Sequence, residues 1–296
     1  HTRCADVTGV QTWCSSDLII SQGKIDEILS TTVYSFLQKL NVKGANLITV
    51  EDPVEMEIEG INQVQINSDI GLDFATVLRS ILRQDPNIIM IGEIRDTETA
   101  QIAVRASITG HLVLSTLHTN SSLTTIERLL DMEVERYLLA SALSGIVSQK
   151  LARKLCDKCK KIRPTTPFEK QYFKELVGAD VNQIYTAVGC PECSGGYKGR
   201  IAIQEVLLIS PEIRDAINAS LKKAQLRDLV YDGEVITLIQ DGLYKVMAGF
   251  TTLEEIMKLV EADDELNAKT CLKNKLRFIN QASSTNENIQ MNNQNQ

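Results

Sequence analysis

The chain has 296 residues, of which 31 are Lys or Arg and 38 are Asp or Glu, so its formal net charge is −7. With 43% hydrophobic and 23% charged residues, the composition is that of a globular protein with one large domain or two smaller ones. The absence of any apolar run of about 18 residues excludes an integral membrane protein, and the first residues lack the pattern of a secretory signal. The acidic charge excludes a general attraction to nucleic acid, and we expect a cytoplasmic protein.

Strand and helix periodicities alternate from about residue 30 onward, which predicts an α/β fold with a parallel sheet and helices on both faces. The expected strands cover 46–50, 64–66, 87–91, 111–117 and 200–209. The expected helices cover 31–40, 73–83, 97–107, 121–131 and 134–153, followed by a cluster of short helices over 211–261. The last residues, 281–296, are mostly Asn, Gln, Ser and Thr and are expected to be disordered.

Four of the seven cysteines form two C-x-x-C pairs, whereas the other three stand alone near the ends of the chain. The pairs are Cys156 with Cys159 and Cys190 with Cys193. Each pair makes a tight turn that directs both sulfurs to one side, so the two pairs together suit one tetrahedral Zn²⁺. Four thiolates leave no open coordination position, which predicts a structural zinc site. Buried or redox-active cysteines are the alternative.

Polar residues follow three of the predicted strands where each strand ends: Glu51 with Asp52, then Glu93, then His118. Ligands of open parallel sheets bind beyond the carboxyl ends of the strands, so these residues predict a polar cleft. Glu93 would serve there as a general base or position a water for phosphoryl transfer. A solvated loop acid and an ordinary turn histidine are the alternatives for Glu93 and His118. His111 and His118, seven residues apart, would face opposite sides of one strand and make a poor metal pair.

Several motifs follow one another along the chain. In order, they are ITVEDPVE at 48–55, LRSILRQDPNIIMIGEIRD at 78–96, TGHLVLSTLHTN at 109–120, the two C-x-x-C pairs, GYKGRIAIQEVL at 196–207 and DGLYKVMAGFTTLEE at 241–255. Together they resemble the secretion and pilus-assembly ATPases of type II secretion and type IV pilus systems. The resemblance covers roughly residues 30–260. It implies a RecA-like P-loop NTPase core that hydrolyses ATP with Mg²⁺, a Zn²⁺-binding tetracysteine module and a C-terminal helical subdomain.

The resemblance also implies roles for residues at the motif positions. Glu93 corresponds to the Walker B glutamate, which prepares the attacking water, and Gly92 stands where many P-loop enzymes carry a magnesium-binding Asp. An acidic box is thought to face nucleotide and magnesium, and a histidine box couples the site to the neighbouring subunit. The acidic box contains Glu51, Asp52 and Glu55, and the histidine box contains His111 and His118. Glu51 and His118 are expected to act with Glu93 in catalysis, and Asp52, Glu55 and His111 to contact the nucleotide.

The phosphate-binding segment departs from the family pattern G-x-x-x-x-G-K-[ST]. Gly23-Lys24 is followed by Ile25, and only the run 30–34 resembles the segment that comes after the family's lysine. The candidate phosphate contacts are therefore Lys24, Ser30 and Thr31. About five extra residues lie between this lysine and the run, which displaces the lysine by a helical turn or more. We expect nucleotide binding by this chain to be weak or missing.

Residues 7–18, VTGVQTWCSSDL, resemble a translated sequencing adapter. We therefore expect a C-terminal motor fragment with a damaged N-terminal part; a divergent natural N-terminus is the alternative. The expected segments are a non-native, disordered leader over 1–29, the ATPase core over 30–153, the zinc module over 154–199, a strand and helical subdomain over 200–262 and a polar tail over 263–296.

The resemblance further implies a homo-hexamer at the cytoplasmic face of the inner membrane, in contact with an inner-membrane platform protein and a cytoplasmic adaptor. Retraction motors usually lack the tetracysteine module, which favours assembly. The alternative from another class is a noncatalytic, zinc-organised module that binds protein or nucleic acid. A basic strip could serve that function, although a solvated helix end explains it as well, and nucleic acid is not the expected partner. The strip contains Lys150, Arg153, Lys154, Lys158, Lys160, Lys161 and Arg163.

Overall fold

The computed structural model describes residues 17–22, 26–231 and 235–260. The strands are β1 (Leu18–Gln22), β2 (Leu47–Glu51), β3 (Asn62–Gln65), β4 (Ile88–Ile91), β5 (Leu112–Leu117), β6 (Leu143–Leu155), β7 (Lys161–Pro164), β8 (Gln183–Thr186) and β9 (Tyr197–Leu208). The helices are α1 (Asp26–Leu40), α2 (Phe74–Ile81), α3 (Thr97–Ile108), α4 (Ser122–Asp131), α5 (Arg136–Ala142), α6 (Pro167–Val177), α7 (Pro211–Asn218), α8 (Lys223–Val230), α9 (Leu238–Met247) and α10 (Leu253–Leu259). Among these described helices, none has the length and apolar character that crossing a membrane requires.

The chain divides into two compact units, 1–150 with 206–226 and 151–205 with 227–296. This division differs from the expected one, because the cysteine module and the last helices belong to a single unit. Their shared core explains the difference: Phe173 of α6, Ile203 of β9, Leu243 of α9 and Ile256 of α10 are fully buried in one cluster. We call the first part, 1–150 with 206–226, the sheet unit. The second part, 151–205 with 227–296, contains the four paired cysteines, and we call it the zinc unit.

In the sheet unit, strands β3, β2, β4, β5 and β1 lie side by side in that order, and the first residues of β6 follow β1. All of these pairings are parallel. Alternate strand residues such as Ile19, Met90 and Leu114 pack in one cluster with Val33 and Leu37 of α1. The intervening strand residues are buried as well, as a parallel sheet covered on both faces requires. The predicted α/β class with a RecA-like parallel sheet is confirmed.

Strand β1 corrects the expectation of a disordered leader over 1–29. Leu18 and Ile20 are 0% exposed, and the strand pairs in parallel with β5 on one side and β6 on the other. Helix α1 likewise begins at Asp26, five residues before the predicted helix. An apolar run such as LIIS is stable inside a sheet because it buries its side chains from water. The remaining leader residues, 1–16 and 23–25, and the polar tail lie outside the described residues.

The expected helix over 134–153 is wrong in its second half. Helix α5 ends at Ala142, and the chain continues as the strand β6. Gly145, Ile146 and Val147 pair with Ile19, Ile20 and Ser21 of β1. Gly145 disfavours a helix, and the β-branched Ile146 and Val147 favour a strand. Their partner strand β1 lies in the segment that was expected to be a disordered leader. The other predicted strands and helices are present, with ends shifted by a few residues.

A partly buried ion pair between Arg163 and Glu169 stabilises the zinc unit. Arg163 Nη2 donates to Glu169 Oε1 at 2.7 Å, and the backbone N–H of Thr166 donates to Glu169 Oε2 at 2.7 Å. Glu169 also completes a capping box at the start of α6. The hydrogen bonds from Arg163, together with that from Thr166, lower the pKa of Glu169 to about 2. The ionised carboxylate is therefore bound much more favourably in the folded than in the unfolded chain.

This shift makes the stability of the zinc unit pH-dependent. Because the folded pKa of Glu169 is the lower one, its contribution is present above the unfolded value near 4.5 and is lost as the pH falls towards 2. We expect Glu169→Gln to lower the free energy of unfolding by about 3 kcal/mol at pH 7 and by much less at pH 3. Denaturant unfolding at both pH values measures this. The control is Glu175→Gln on the same helix, and equal pH dependence in both variants would contradict the assignment.

Candidate functional site

The carboxyl ends of three neighbouring strands lie side by side in the sheet unit. Val50 of β2 pairs with Ile91 of β4, and Ile91 pairs with Ser115 of β5. The backbone is tied beyond the strand ends, because Gly92 N–H donates to the Val50 carbonyl at 2.7 Å. The predicted convergence of strand ends on one edge of the sheet is therefore present in the structure.

Glu93 lies between two basic groups at this edge. Arg95 Nη2 is 2.5 Å from Glu93 Oε1, and His118 Nε2 is 3.8 Å from Glu93 Oε2. The side chain of Glu93 is only 14% exposed, whereas Arg95 and His118 are 64% and 45% exposed. Arg95 also approaches Asp52, with 3.9 Å between Nη1 and Oδ2. The structure thus brings Glu93, His118 and Asp52 together and adds Arg95, which the sequence analysis missed although it is the fourth residue of the GEIRD motif.

Gly92 lies close to the backbone of β2. A Cβ at this position would lie 3.2 Å from the Val50 carbonyl oxygen and 3.3 Å from Glu51 Cα. A magnesium-binding Asp, which many P-loop enzymes carry here, would therefore press on the backbone of β2. The close approach of β4 to β2 explains why the residue before Glu93 has no side chain.

Glu51 does not face an open cleft. It is 2% exposed, and its carboxylate accepts hydrogen bonds from the hydroxyls of Tyr34 and Thr49 and from Gln63 Nε2 at 3.1 Å. Glu55 lies in the following loop 52–58, which we call the acidic loop, and its side chain is exposed. The buried carboxylate of Glu51, which accepts three hydrogen bonds, holds its neighbours in place and is poorly accessible to a bound ligand.

His111 and His118 lie at opposite ends of β5. His111 precedes the strand, and its Nδ1 is 2.9 Å from the carbonyl oxygen of Ala106, whereas His118 follows the strand. Seven residues of extended chain separate the two histidines by roughly 23 Å. The structure therefore does not bring His111 to the Glu93 cluster, because parallel strands expose their amino and carboxyl ends at different edges.

Two of the three expected phosphate contacts lie inside helix α1. Only residues 23–25 connect β1 with α1, and Lys24 among them lies outside the described residues. Ser30 and Thr31 are the fifth and sixth residues of α1. Their backbone N–H groups come after the first four of the helix, which are the ones left without intrahelical partners.

The four paired cysteines meet in the zinc unit. Their sulfurs lie within 4.8 Å of one another, with Sγ–Sγ distances of 3.9 Å between Cys156 and Cys190, 3.7 Å between Cys159 and Cys193 and 3.6 Å between Cys190 and Cys193. Tetrahedral coordination with Zn–S bonds of about 2.3 Å requires sulfurs about 3.8 Å apart. The spacing of the free thiols therefore fits one zinc ion.

The basic strip of the sequence is largely neutralised by carboxylates. Five of its members form ion pairs: Arg153 with Glu255, Lys154 and Lys160 with Asp157, Lys158 with Glu192, and Arg163 with Glu169. Lys150 is 8% exposed. Nucleic-acid binding depends on cations that neutralise phosphates, so these pairs count against the alternative of a nucleic-acid-binding module.

The sequence of this chain matches a known protein family. Residues 28–258 match the family model described as type II/IV secretion system protein. The type II secretion system protein E of Pectobacterium carotovorum is 46% identical over 247 residues, covering 83% of this chain and 49% of the relative. The type IV pilus assembly ATPase PilB of Thermus thermophilus is 45% identical over 230 residues, covering 77% of this chain and 26% of the relative. The chain thus spans about half the length, or less, of these relatives.

A solved structure supports the fold. The pilus retraction motor PilT with bound ADP matches with a TM-score of 0.63 and 30% identity, covering 84% of this chain and 63% of PilT. The Legionella pneumophila ATPase DotB matches with a TM-score of 0.60.

Proposed function

Because the chain belongs to the type II/IV secretion system protein family, we propose that it is the motor part of an ATPase that powers the assembly of pilins or pseudopilins. The parent machine is a type IV pilus or a type II secretion system. The observation that carries this proposal is the position of Glu93 between Arg95 and His118 at the carboxyl edge of the sheet. Ligands of parallel α/β sheets bind at this edge.

The arrangement suits phosphoryl transfer to water. In such reactions catalysis consists mainly of positioning and charge stabilisation. Glu93 is the catalytic residue: it orients the attacking water and accepts its proton. The 3.8 Å between His118 Nε2 and Glu93 Oε2 allows both groups to contact one water beside the pair. Arg95 Nη2, 2.5 Å from Glu93 Oε1, presents a positive charge at the edge where phosphate charge develops.

Two sets of side chains in this protein suit two different metal ions. Carboxylate oxygens of the acidic loop, from Asp52 and Glu55, suit Mg²⁺, which neutralises phosphate charge in reactions of this class. The tetracysteine cluster suits a structural Zn²⁺, and its four sulfurs leave no position for a substrate. The catalytic and structural metals would therefore lie in different units of the chain.

The proposed assembly is a homo-hexamer at the cytoplasmic face of the inner membrane, in contact with a platform protein and a cytoplasmic adaptor. A nucleotide bound at each subunit interface of such a ring would give the exposed side of the Glu93 cluster a role. His111, at the other edge of the sheet, would face a neighbouring subunit in such a ring.

The phosphate cradle provides the test of this proposal. Residues 23–30 read GKIDEILS, so Ile28→Gly with Leu29→Lys converts them to the complete pattern G-x-x-x-x-G-K-S directly before Thr31. We call this double change the cradle variant. We expect it to bind a fluorescent ATP analogue with Mg²⁺ at least tenfold more tightly than the unchanged chain, and to hydrolyse ATP.

The matched control is Ile28→Gly with Leu29→Gln, which forms the same loop without the cation. It should bind no better than the unchanged chain. Low-micromolar binding by the unchanged chain would contradict the argument about its cradle. A folded cradle variant with neither binding nor turnover would contradict the proposed function.

A further inference from the structure

Tyr34 of α1 joins three parts of the sheet unit through one hydroxyl. Its Oη donates to Glu51 Oε2 at the end of β2 and accepts from the backbone N–H groups of Glu55 at 3.2 Å and Met56 at 3.3 Å. A phenol has one proton to donate and two lone pairs, so every hydrogen-bonding position of this oxygen is used. Tyr34 is only 4% exposed, and Glu51 is 2% exposed, so the hydroxyl-carboxylate hydrogen bond between them is buried.

A second side chain completes the connection to the acidic loop. Gln63 of β3 donates from Nε2 to Glu51 Oε1 and to the Met56 carbonyl, both at 3.1 Å, and its Oε1 accepts from the N–H of Ile58 at 2.7 Å. Glu51 is thus the common acceptor of two residues that each hold the acidic loop by its backbone.

The hydroxyl of Tyr34 stays protonated over the physiological range. Burial, followed by the hydrogen bond to the Glu51 carboxylate, raises the pKa of Tyr34 to about 12. The phenol therefore remains a donor to Glu51 and an acceptor for the loop amides wherever the protein is folded and functional.

We propose that Tyr34 is a positioning residue that couples α1, the helix following the phosphate-binding segment, to the acidic loop that carries Asp52 and Glu55. Glu51 serves as the anchor of this coupling and does not itself act on the substrate. The inference rests on the proposed ATPase function, because a phosphate-dependent movement of α1 would reach the acidic loop through the Tyr34 hydroxyl. It assigns a role to Tyr34, which lies outside the acidic and histidine boxes.

Amide hydrogen exchange on the unchanged chain tests the coupling without nucleotide. Tyr34→Phe should raise the exchange rates of the Glu55 and Met56 amides at least tenfold. Thr49→Val also removes one donor to Glu51, but Thr49 does not contact the loop, so these rates should stay within threefold. Tyr137→Phe removes an exposed hydroxyl beside Glu135 and is the matched control for the chemical change. Unchanged rates in Tyr34→Phe, or an equal rise in Thr49→Val, would overturn the proposal.

Steady-state kinetics on the cradle variant separate positioning from a merely structural role. We expect Tyr34→Phe to lower kcat about tenfold, to raise the Mg²⁺ concentration needed for half-maximal rate, and to leave KM for ATP within threefold. Tyr137→Phe should change none of these. Faster loop exchange with unchanged kinetics would show that Tyr34 is only structural. If the cradle variant has no ATPase activity, the proposed function fails, while the exchange experiment still decides whether Tyr34 holds the loop.

Discussion

Cys156→Ser is expected to reduce bound zinc from one ion per chain to none and to unfold the zinc unit. The serine hydroxyl is not ionised at neutral pH and is a poor zinc ligand, so the remaining three sulfurs lose the closed tetrahedral site. Structural zinc contributes on the order of 10 kcal/mol to the folding of small metal-binding domains, comparable with the whole stability of an ordinary domain. Among the four ligands Cys156 is the buried one, which makes a vacancy there the most costly.

Elemental analysis after dialysis measures the zinc content, and limited proteolysis of residues 151–205 measures the folding of the unit. Cys271→Ser, which changes a cysteine that belongs to neither C-x-x-C pair, should retain one zinc ion and the protease resistance of the unchanged chain. A zinc content near zero in the reduced, folded chain would overturn the assignment of the four cysteines.

Glu93→Gln in the cradle variant is expected to slow ATP turnover at least a hundredfold and to leave nucleotide affinity within threefold. The amide keeps the shape of the side chain and its contact with Arg95 but does not accept a proton from water. A hundredfold loss corresponds to about 2.7 kcal/mol of transition-state stabilisation. The effect falls on kcat because the interaction is made in the transition state and contributes little to ground-state binding.

The measurements are a coupled ATPase assay and titration with the fluorescent ATP analogue. Glu98→Gln on α3 makes the same chemical change at an exposed surface ion pair and should leave turnover unchanged. Turnover of Glu93→Gln within twofold of the cradle variant would remove Glu93 from its proposed role. A parallel loss of affinity would indicate a binding role for this carboxylate.

The proposed zinc site and the proposed ATPase site lie in different units of the chain, and the two predictions are therefore independent. The cysteines lie in the zinc unit with α6, α9 and α10, whereas Glu93 and Tyr34 lie in the sheet unit. A local change in one unit should leave the hydrogen bonds of the other intact. The two sets of variants can be combined and should show additive effects on stability.

The sequence by itself determined the strands β2, β4 and β5, the helices between them, the cysteine pairs and the family. These features depend on local patterns: a run of four or five apolar residues, an Asp at a helix start, two cysteines three positions apart. Asp73 illustrates this, because its side chain accepts from the Thr76 N–H and caps α2 as the sequence predicts.

Only the tertiary structure decided the placement of LIISQ, the end of α5, the neutral surroundings of Glu51 and the distance of His111 from His118. Strand β6 forms because β1 lies beside it, and no local pattern reveals a partner strand more than a hundred residues away. Glu51 and Asp52 are adjacent in sequence, yet one is buried under three donors and the other is half exposed at the ion-pair cluster. Packing assigns such neighbours to opposite sides of a strand end, and the role of each follows from the residues that the fold brings to that side.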